Sequence, residues 1–250
     1  MCVYEIFFSP TGGTKKVADI LGNTFDEVIQ VDLIKDKDIP LSFNEDDVCI
    51  FAVPSYGGRV PSVVVDMIKT MNGNHAKTLL VAVFGNRHID DTLIELKDTL
   101  VESHFHCIAA IEAVAEHSLM HQFAKGRPDA HDKTALENFM KEVKNVLNKD
   151  IINEVRVPGV RPYKRYNGVP LKPKVNRKCT CCGLCARECP AHAIDLDNPK
   201  KLNTDQCISC MHCVSICPIG ARTYSQILTQ ISAQKMKDVC SDRKENQLYI

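Results

Sequence analysis

Short apolar runs alternate with amphipathic stretches through the first 150 residues. Cys2–Phe8 has strand length and composition, and Thr14–Leu21 begins a helical pattern. Glu27–Leu33 alternates like a half-buried strand, whereas Val48–Val53 is a continuous apolar run of the kind buried on both faces. Pro61–Met71 reads as a helix with proline at its start. Thr78–Phe84 is a fourth strand, and Asp91–Val101 is a helix with Leu93, Leu96 and Leu100 on one face. Cys107–Val114 is a fifth strand and Thr134–Leu147 a last helix. This alternation predicts an α/β domain with a doubly wound, parallel five-stranded sheet. Only about 14 residues, Ile34–Asp47 with Pro40 among them, join the second strand to the third, so that crossover is expected to be short or irregular.

Open sheets of this class bind ligands outside the carboxyl ends of their strands. The loop after the first strand, Ser9-Pro10-Thr11-Gly12-Gly13-Thr14, combines hydroxyls and glycines at a helix start, the make-up of a phosphate cradle. It lacks the lysine of a nucleoside-triphosphate loop, so a single phosphate monoester fits better. After the third strand come Pro54-Ser55-Tyr56-Gly57-Gly58-Arg59, with an aromatic face and a pair of glycines suited to a flat ring. The same residues also suit an ordinary turn. The fourth strand is followed by Gly85-Asn86-Arg87-His88 and the fifth by Glu116-His117-Ser118, where His117 is a candidate proton donor or a solvated loop residue. The pair His104 and His106 lacks an evident third metal ligand, and Gly126–Asp129 reads as a turn.

Composition adds a division that the periodicity does not show. The net charge is zero, but residues 1–150 carry 15 Lys and Arg against 23 Asp and Glu, and the remainder carries 16 against 8. Opposite-sign halves attract. The basic excess gathers in a proline-bearing stretch with Arg156, Arg161, Lys164, Arg165 and Lys172, expected as a semi-rigid linker over residues 151–172 rather than a nucleic-acid tail. No stretch approaches a membrane span, and Met1 leads directly into a strand-like run carrying Glu5 instead of a secretory signal.

Eight of the thirteen cysteines form one pattern written twice. Cys179, Cys182, Cys185, Cys189 and Pro190 superimpose on Cys207, Cys210, Cys213, Cys217 and Pro218 after a shift of 28 residues. Each copy is C-x2-C-x2-C-x3-C-P, the run that holds [4Fe–4S] clusters in bacterial two-cluster proteins. Structural zinc favours separated pairs of ligands, so three closely spaced cysteines per run suit a cluster better. Cys181 is a spare thiol, read as a passive loop residue or as an alternative ligand. Cys2, Cys49 and Cys107 sit in strand runs as small core residues, and Cys240 near the polar tail reads as a free thiol. A helix from about Ser225 to Val239, with Leu228, Ile231 and Met236, is expected to pack the chain end back onto a domain.

On these runs residues 174–222 resemble a bacterial 2[4Fe–4S] ferredoxin, a small α+β domain. The resemblance implies that Cys179, Cys182, Cys185 and Cys217 hold one cluster, and Cys207, Cys210, Cys213 and Cys189 the other. The three loops place residues 1–148 in resemblance to flavodoxin, which implies FMN. Its phosphate would lie on Ser9, Thr11, Gly12, Gly13 and Thr14, and its ring between Pro54, Ser55, Tyr56, Gly57 and Gly58 on one side and Gly85, Asn86 and Arg87 on the other. The third loop carries Arg87 and His88 where a stacking aromatic is common in that family, leaving Tyr56 as the platform. The whole chain resembles the flavodoxin–ferredoxin fusions of anaerobic bacteria: an FMN domain over 1–150, a linker over 151–172 and a cluster domain over 173–250. That resemblance implies a cytoplasmic electron-transfer protein with an unidentified redox partner, or a small molecule reduced at the flavin. A second reading makes it a ferredoxin-type carrier whose first domain binds no flavin and serves as a docking module. A regulator that binds nucleic acid through the basic stretch is the least favoured. No general acid/base pair or activated nucleophile stands out near the loops, so the catalytic residues are unassigned.

Overall fold

The computed structural model describes residues 1–36, 42–149 and 151–250. These form two compact units: Met1–Tyr166 with Asp238–Ile250, and Asn167–Lys237. The stretch expected as a linker is divided between them, and the chain end belongs with the first unit.

In the first unit, strands β1 (Val3–Phe7), β2 (Ile29–Asp32), β3 (Val48–Pro54), β4 (Lys77–Phe84) and β5 (His106–Val114) alternate with helices α1 (Gly13–Gly22), α2 (Ser62–Lys69), α3 (Thr92–Glu102) and α4 (Ala130–Leu147). The sheet order is β2-β1-β3-β4-β5, with every neighbouring pair parallel. This is the flavodoxin-like doubly wound order, with its switch point between β1 and β3. The sheet has six strands, not the expected five. A short strand near the chain end, Gln247–Tyr249, pairs antiparallel with β5. Pro40 and most of the β2–β3 crossover's middle lie outside the described residues.

Both faces of the sheet are covered, which explains why β3 and β4 are apolar throughout. On one face Val17 and Leu21 of α1 and Leu136 and Met140 of α4 pack against Ile50, Val81 and Ile111. On the other face Ile68 of α2 and Leu93, Leu96 and Leu100 of α3 are fully buried. The leucine stripe read from the sequence is therefore the inner face of α3.

The second unit is built from the cysteine repeat. It contains β6 (Lys174–Val175), α5 (Leu184–Arg187), α6 (His212–Ser215) and β7 (Arg222–Thr223), with β6 and β7 antiparallel. A long helix, α7 (Gln226–Cys240), leads out of it towards the final strand, β8 (Gln247–Tyr249). The buried positions of α7 are Thr229, Ala233 and Cys240, whereas Leu228 and Ile231, expected inside, are 46% and 49% exposed. Among the described residues no helix is long and apolar enough to cross a membrane.

Candidate functional site

The 28-residue repeat survives as backbone conformation. Helices α5 and α6 differ by this shift, and so do three pairs of residues with left-handed φ: Cys181 and Ser209, Gly183 and Met211, His192 and Gly220. A left-handed residue turns the chain sharply, so each copy wraps its cysteines around a small volume. Cys181 is accounted for here. It occupies the turn position held by Ser209 in the other copy, is exposed, and lines neither cavity described below.

Two cavities result. One is lined by Cys179, Cys182, Cys185 and Cys217. The other is lined by Cys189, Cys207, Cys210 and Cys213. Each run thus sends its fourth cysteine to the cavity of the other. The donor set also argues against a single tetrahedral ion. Zinc bonds of about 2.3 Å place thiolates about 3.8 Å apart. Among the described residues no three cysteine sulfurs gather within 4.8 Å of one another; the one trio of potential ligands that does is Asp129, His131 and Asp132. Quartets around a wider volume fit a cubane, whose thiolates stand on the outside of a four-iron body.

The polypeptide supplies further fitting features. The Ala193 N–H donates to Cys189 Sγ at 3.3 Å and the Ala221 N–H to Cys217 Sγ at 3.2 Å, again 28 residues apart. Burial pushes the Cys210 and Cys213 thiols up to about 12. Burial acts the same way on Cys217, but N–H groups of Arg222, Ala221, Ile219 and Gly220 outweigh it and hold the thiol below its ordinary value. Buried thiolates of this kind need metal charge beside them.

The three rim loops of the first unit lie where the sheet order predicts. Gly12 sits at φ 89° immediately before α1, a conformation open to glycine, and starts the helix. Ser9 Oγ accepts the Lys15 N–H at 2.8 Å, which leaves its own O–H free to donate to an anion. The N–H groups of Gly13 and Thr14 belong to the helix start and have no intrahelical acceptors. This end fits a phosphate.

The second loop is a tight turn in which Tyr56 and Arg59 exchange backbone N–H···O bonds of 2.9 and 3.2 Å. Arg59 pairs with buried Glu95, which also accepts the Val60 N–H at 2.8 Å. Ser55 turns its hydroxyl to Thr92 Oγ1 at 2.8 Å and so anchors the loop on α3. Gly57, at φ 62°, lies under the ring of Tyr166; any Cβ there would run into it. Tyr166 ends a strap whose Val160 and Lys164 N–H groups donate to Asp91 at 2.9 and 2.6 Å. The strap is fixed further by Arg161 and Tyr163 on Asp98 and by the Lys164 ammonium on Asp90.

The third loop departs from expectation. Asn86 is buried and its side chain is taken up by the chain end. Its amide donates to the carbonyls of Cys240 and Asp242, at 2.6 and 2.8 Å, and its oxygen accepts the Lys244 N–H at 3.1 Å. Arg87 pairs with Asp90. Gly85 is covered by the imidazole of His117. His117 is not a solvated residue: its Nδ1 accepts the Leu119 and Met120 N–H groups, each at 3.2 Å, and burial, with His121 nearby, pushes it down to about 4. It is therefore neutral at pH 7. One cysteine expectation is corrected, since Cys2 is exposed and not a core residue; Cys240 is a free thiol, as expected, and is buried. Sequence reasoning missed Tyr166 and Asp90, because neither stands in a rim loop's motif.

The 4Fe-4S dicluster domain family matches residues 178–222. AegA of Escherichia coli (strain K12), whose name assigns it provisionally to the oxidoreductases, is 39% identical over 67 residues, which are 24% of this chain and 10% of that protein. An uncharacterized protein of Methanothermobacter thermautotrophicus is 37% identical over 122 residues, 43% of this chain and 26% of that one. An uncharacterized protein of Methanocaldococcus jannaschii is 35% identical over 63 residues, 25% of this chain and 24% of that one. The chain therefore spans from a tenth to about a quarter of these relatives' length. Among solved structures, the flavodoxin of Streptococcus pneumonia TIGR4 superposes with a TM-score of 0.40 and 17% identity, covering 58% of this chain and 99% of that one. A sheet of flavodoxin order joined to a 4Fe-4S dicluster domain is the make-up of a flavodoxin–ferredoxin fusion.

Proposed function

We propose that this chain is an electron-transfer protein that relays electrons between two [4Fe–4S] clusters and FMN, and to or from a separate redox partner. One observation carries the reading: the eight motif cysteines divide into two quartets around two cavities, each run lending its fourth cysteine to the other. The clusters supply one-electron chemistry, and FMN, when bound, supplies exchange between one-electron and two-electron traffic. The residues do the placing. Ser9, Thr11, Gly12, Gly13 and Thr14 hold the phosphate at the start of α1. Tyr56, Gly57 and Gly58 on one side and Gly85 and Arg87 on the other flank the ring, while Pro54, Ser55 and Asn86 hold the loops in place. His117, neutral and engaged by backbone N–H groups, shapes the rim and carries no proton to a substrate. The reducing compartment that such thiolate-bound clusters require is the cytoplasm of an anaerobe.

The docking-module reading has its own observation. Tyr166 and His117 lie directly over Gly57 and Gly85, glycines of the two loops that would flank the ring. Anaerobic purification followed by assay of iron, acid-labile sulfide and released flavin separates the two. The relay predicts about eight iron, about eight sulfide and about one FMN per chain. Full iron with no flavin, even after incubation with FMN, would leave a cluster carrier on a flavin-free scaffold.

A further inference from the structure

The two cysteine cavities are copies, and they differ in charge at one position. Twenty-eight residues separate Ile194, which lines the cavity of Cys189, Cys207, Cys210 and Cys213, from Arg222, which lines that of Cys179, Cys182, Cys185 and Cys217. Thr180 for Ile208, Gly183 for Met211 and Ile219 for Ala191 are uncharged exchanges, whereas Leu184, a lining residue of the Arg222 cavity, has as its counterpart the buried His212, which does not line the other cavity. Apart from the cysteines, Arg222 is, among the described residues, the single ionisable side chain lining either cavity.

The guanidinium is buried, with 3% of the residue exposed. Its Nη2 donates to the carbonyl of Pro199, another lining residue of the same cavity. Its Nε and Nη1 are buried and have no hydrogen-bond acceptor among the described residues. A buried charged donor left without an acceptor is strongly unfavourable, and arginine cannot shed its proton to escape. The remedy is an anionic acceptor that the polypeptide does not itself provide. Thiolate-bound iron–sulfur groups are such acceptors, and hydrogen bonds to their sulfurs set their potentials. Reduction adds one electron to an already anionic group, so a fixed cation and its N–H donors favour the reduced form.

We infer that Arg222 tunes the two cavities apart. Its Nε–H and Nη1–H serve the cluster of Cys179, Cys182, Cys185 and Cys217, which takes the higher potential and holds the electron in the half-reduced protein. This rests on the reading that both cavities hold [4Fe–4S] clusters. Each reduction adds one electron to one cluster from a one-electron donor, with no bond made or broken.

The test is a redox titration of the full, cluster-loaded chain, followed by electron paramagnetic resonance. The unaltered protein gives two one-electron midpoints at least tenfold apart in equilibrium constant, which is about 59 mV. In Arg222→Ile, which copies Ile194, the higher midpoint falls by at least that amount and the pair converges, with iron and sulfide unchanged. Arg222→Lys keeps charge without the fork and lies between, and Ile194→Arg raises the lower midpoint. A single midpoint in the unaltered protein overturns the inference, as does an unmoved upper midpoint in fully loaded Arg222→Ile. If that variant sheds iron, Arg222→Gln is read in its place by the same criterion. Absence of iron from the unaltered protein is a different result, and it sinks the cluster reading itself.

Discussion

Glu5 shows how one buried carboxyl ties this fold to pH. It sits in β1, 1% exposed, directly beneath α1, where a Cβ on Gly22 would run into its carboxylate. Gln30 donates to Glu5 Oε1 at 3.2 Å, and no cation touches it among the described residues. Burial, followed by the nearby charge of Asp19, raises the carboxyl from 4.5 to about 7. A raised carboxyl means that the folded state holds its proton longer than the unfolded chain does. The contribution to stability is whole below pH 4.5, falls as the unfolded chain ionises, and is lost as pH rises through about 7. Glu5→Gln keeps an oxygen for Gln30 and removes the titration. Its unfolding free energy in urea is expected to match the parent at pH 4 and to exceed it at pH 8, by up to about 3 kcal/mol. Equal free energies at pH 8 would show that Glu5 ionises without cost. In the sequence Glu5 is only a charge in an apolar run. A parallel strand covered on both faces offers no exposed side for it, and that covering is a tertiary fact. Asn86 misled for a related reason. It stands in a rim loop, but the partner that claims its amide lies more than 150 residues further on.

Among the elements, β8 and the segment before it hold the chain end to the first unit. Asp132 in the first turn of α4 is fully buried. Arg127 pairs with it and passes Nη1 to the Lys244 carbonyl at 2.7 Å. Asn246 donates to Asp132 at 3.0 Å and accepts the Val114 N–H of β5 at 2.8 Å. Burial alone would raise the Asp132 carboxyl, but Arg127, the Asp129 N–H and Asn246 together hold it below its ordinary value. Removing one member strands the others. Asn246→Ala is expected to cost about 1–3 kcal/mol by leaving a buried N–H without its acceptor, and Arg127→Ala about 3–5 kcal/mol by leaving a buried charge unpaired. Urea unfolding read by far-UV circular dichroism measures both, with iron content unchanged; a loss below about 0.5 kcal/mol in both would mean that the tail is not part of the cooperative unit. The nine expected elements of the first unit were legible because period and length identify long elements. β8 was not, since three residues after a polar run carry no period. The inner face of α7 was misread because its large apolar residues face outward and Thr229 and Ala233 inward.

At the scale of the whole molecule the two units differ in what holds them together. The cysteine repeat announced the second unit from spacing alone, since four ligands around one body admit few arrangements. The same spacing says how little else supports it. The buried cluster of about 70 residues, 167–237, consists of Ala186, Cys189, Ala193, Ile194 and Cys213, two of them cysteines of the repeat. A domain of that size with so small a core needs its metal to fold. The first unit has a core of large aliphatic side chains on both faces of its sheet and no such need. Stripping iron anaerobically with a chelator should therefore unfold 167–237 and leave the sheet intact. Brief proteolysis of the stripped protein is expected to cut within 167–237 and spare 1–166. Because the second unit lies between two segments of the first, the cut yields two fragments rather than a domain and a free tail. The C-terminal fragment remains bound through β8, Asn86, Arg127 and Asn246, so the fragments co-elute on a native sizing column and separate only in denaturant. Cuts in 1–166 at an equal rate would show that the sheet depends on the clusters as well. A stripped second unit that resists cleavage would show that the small core suffices.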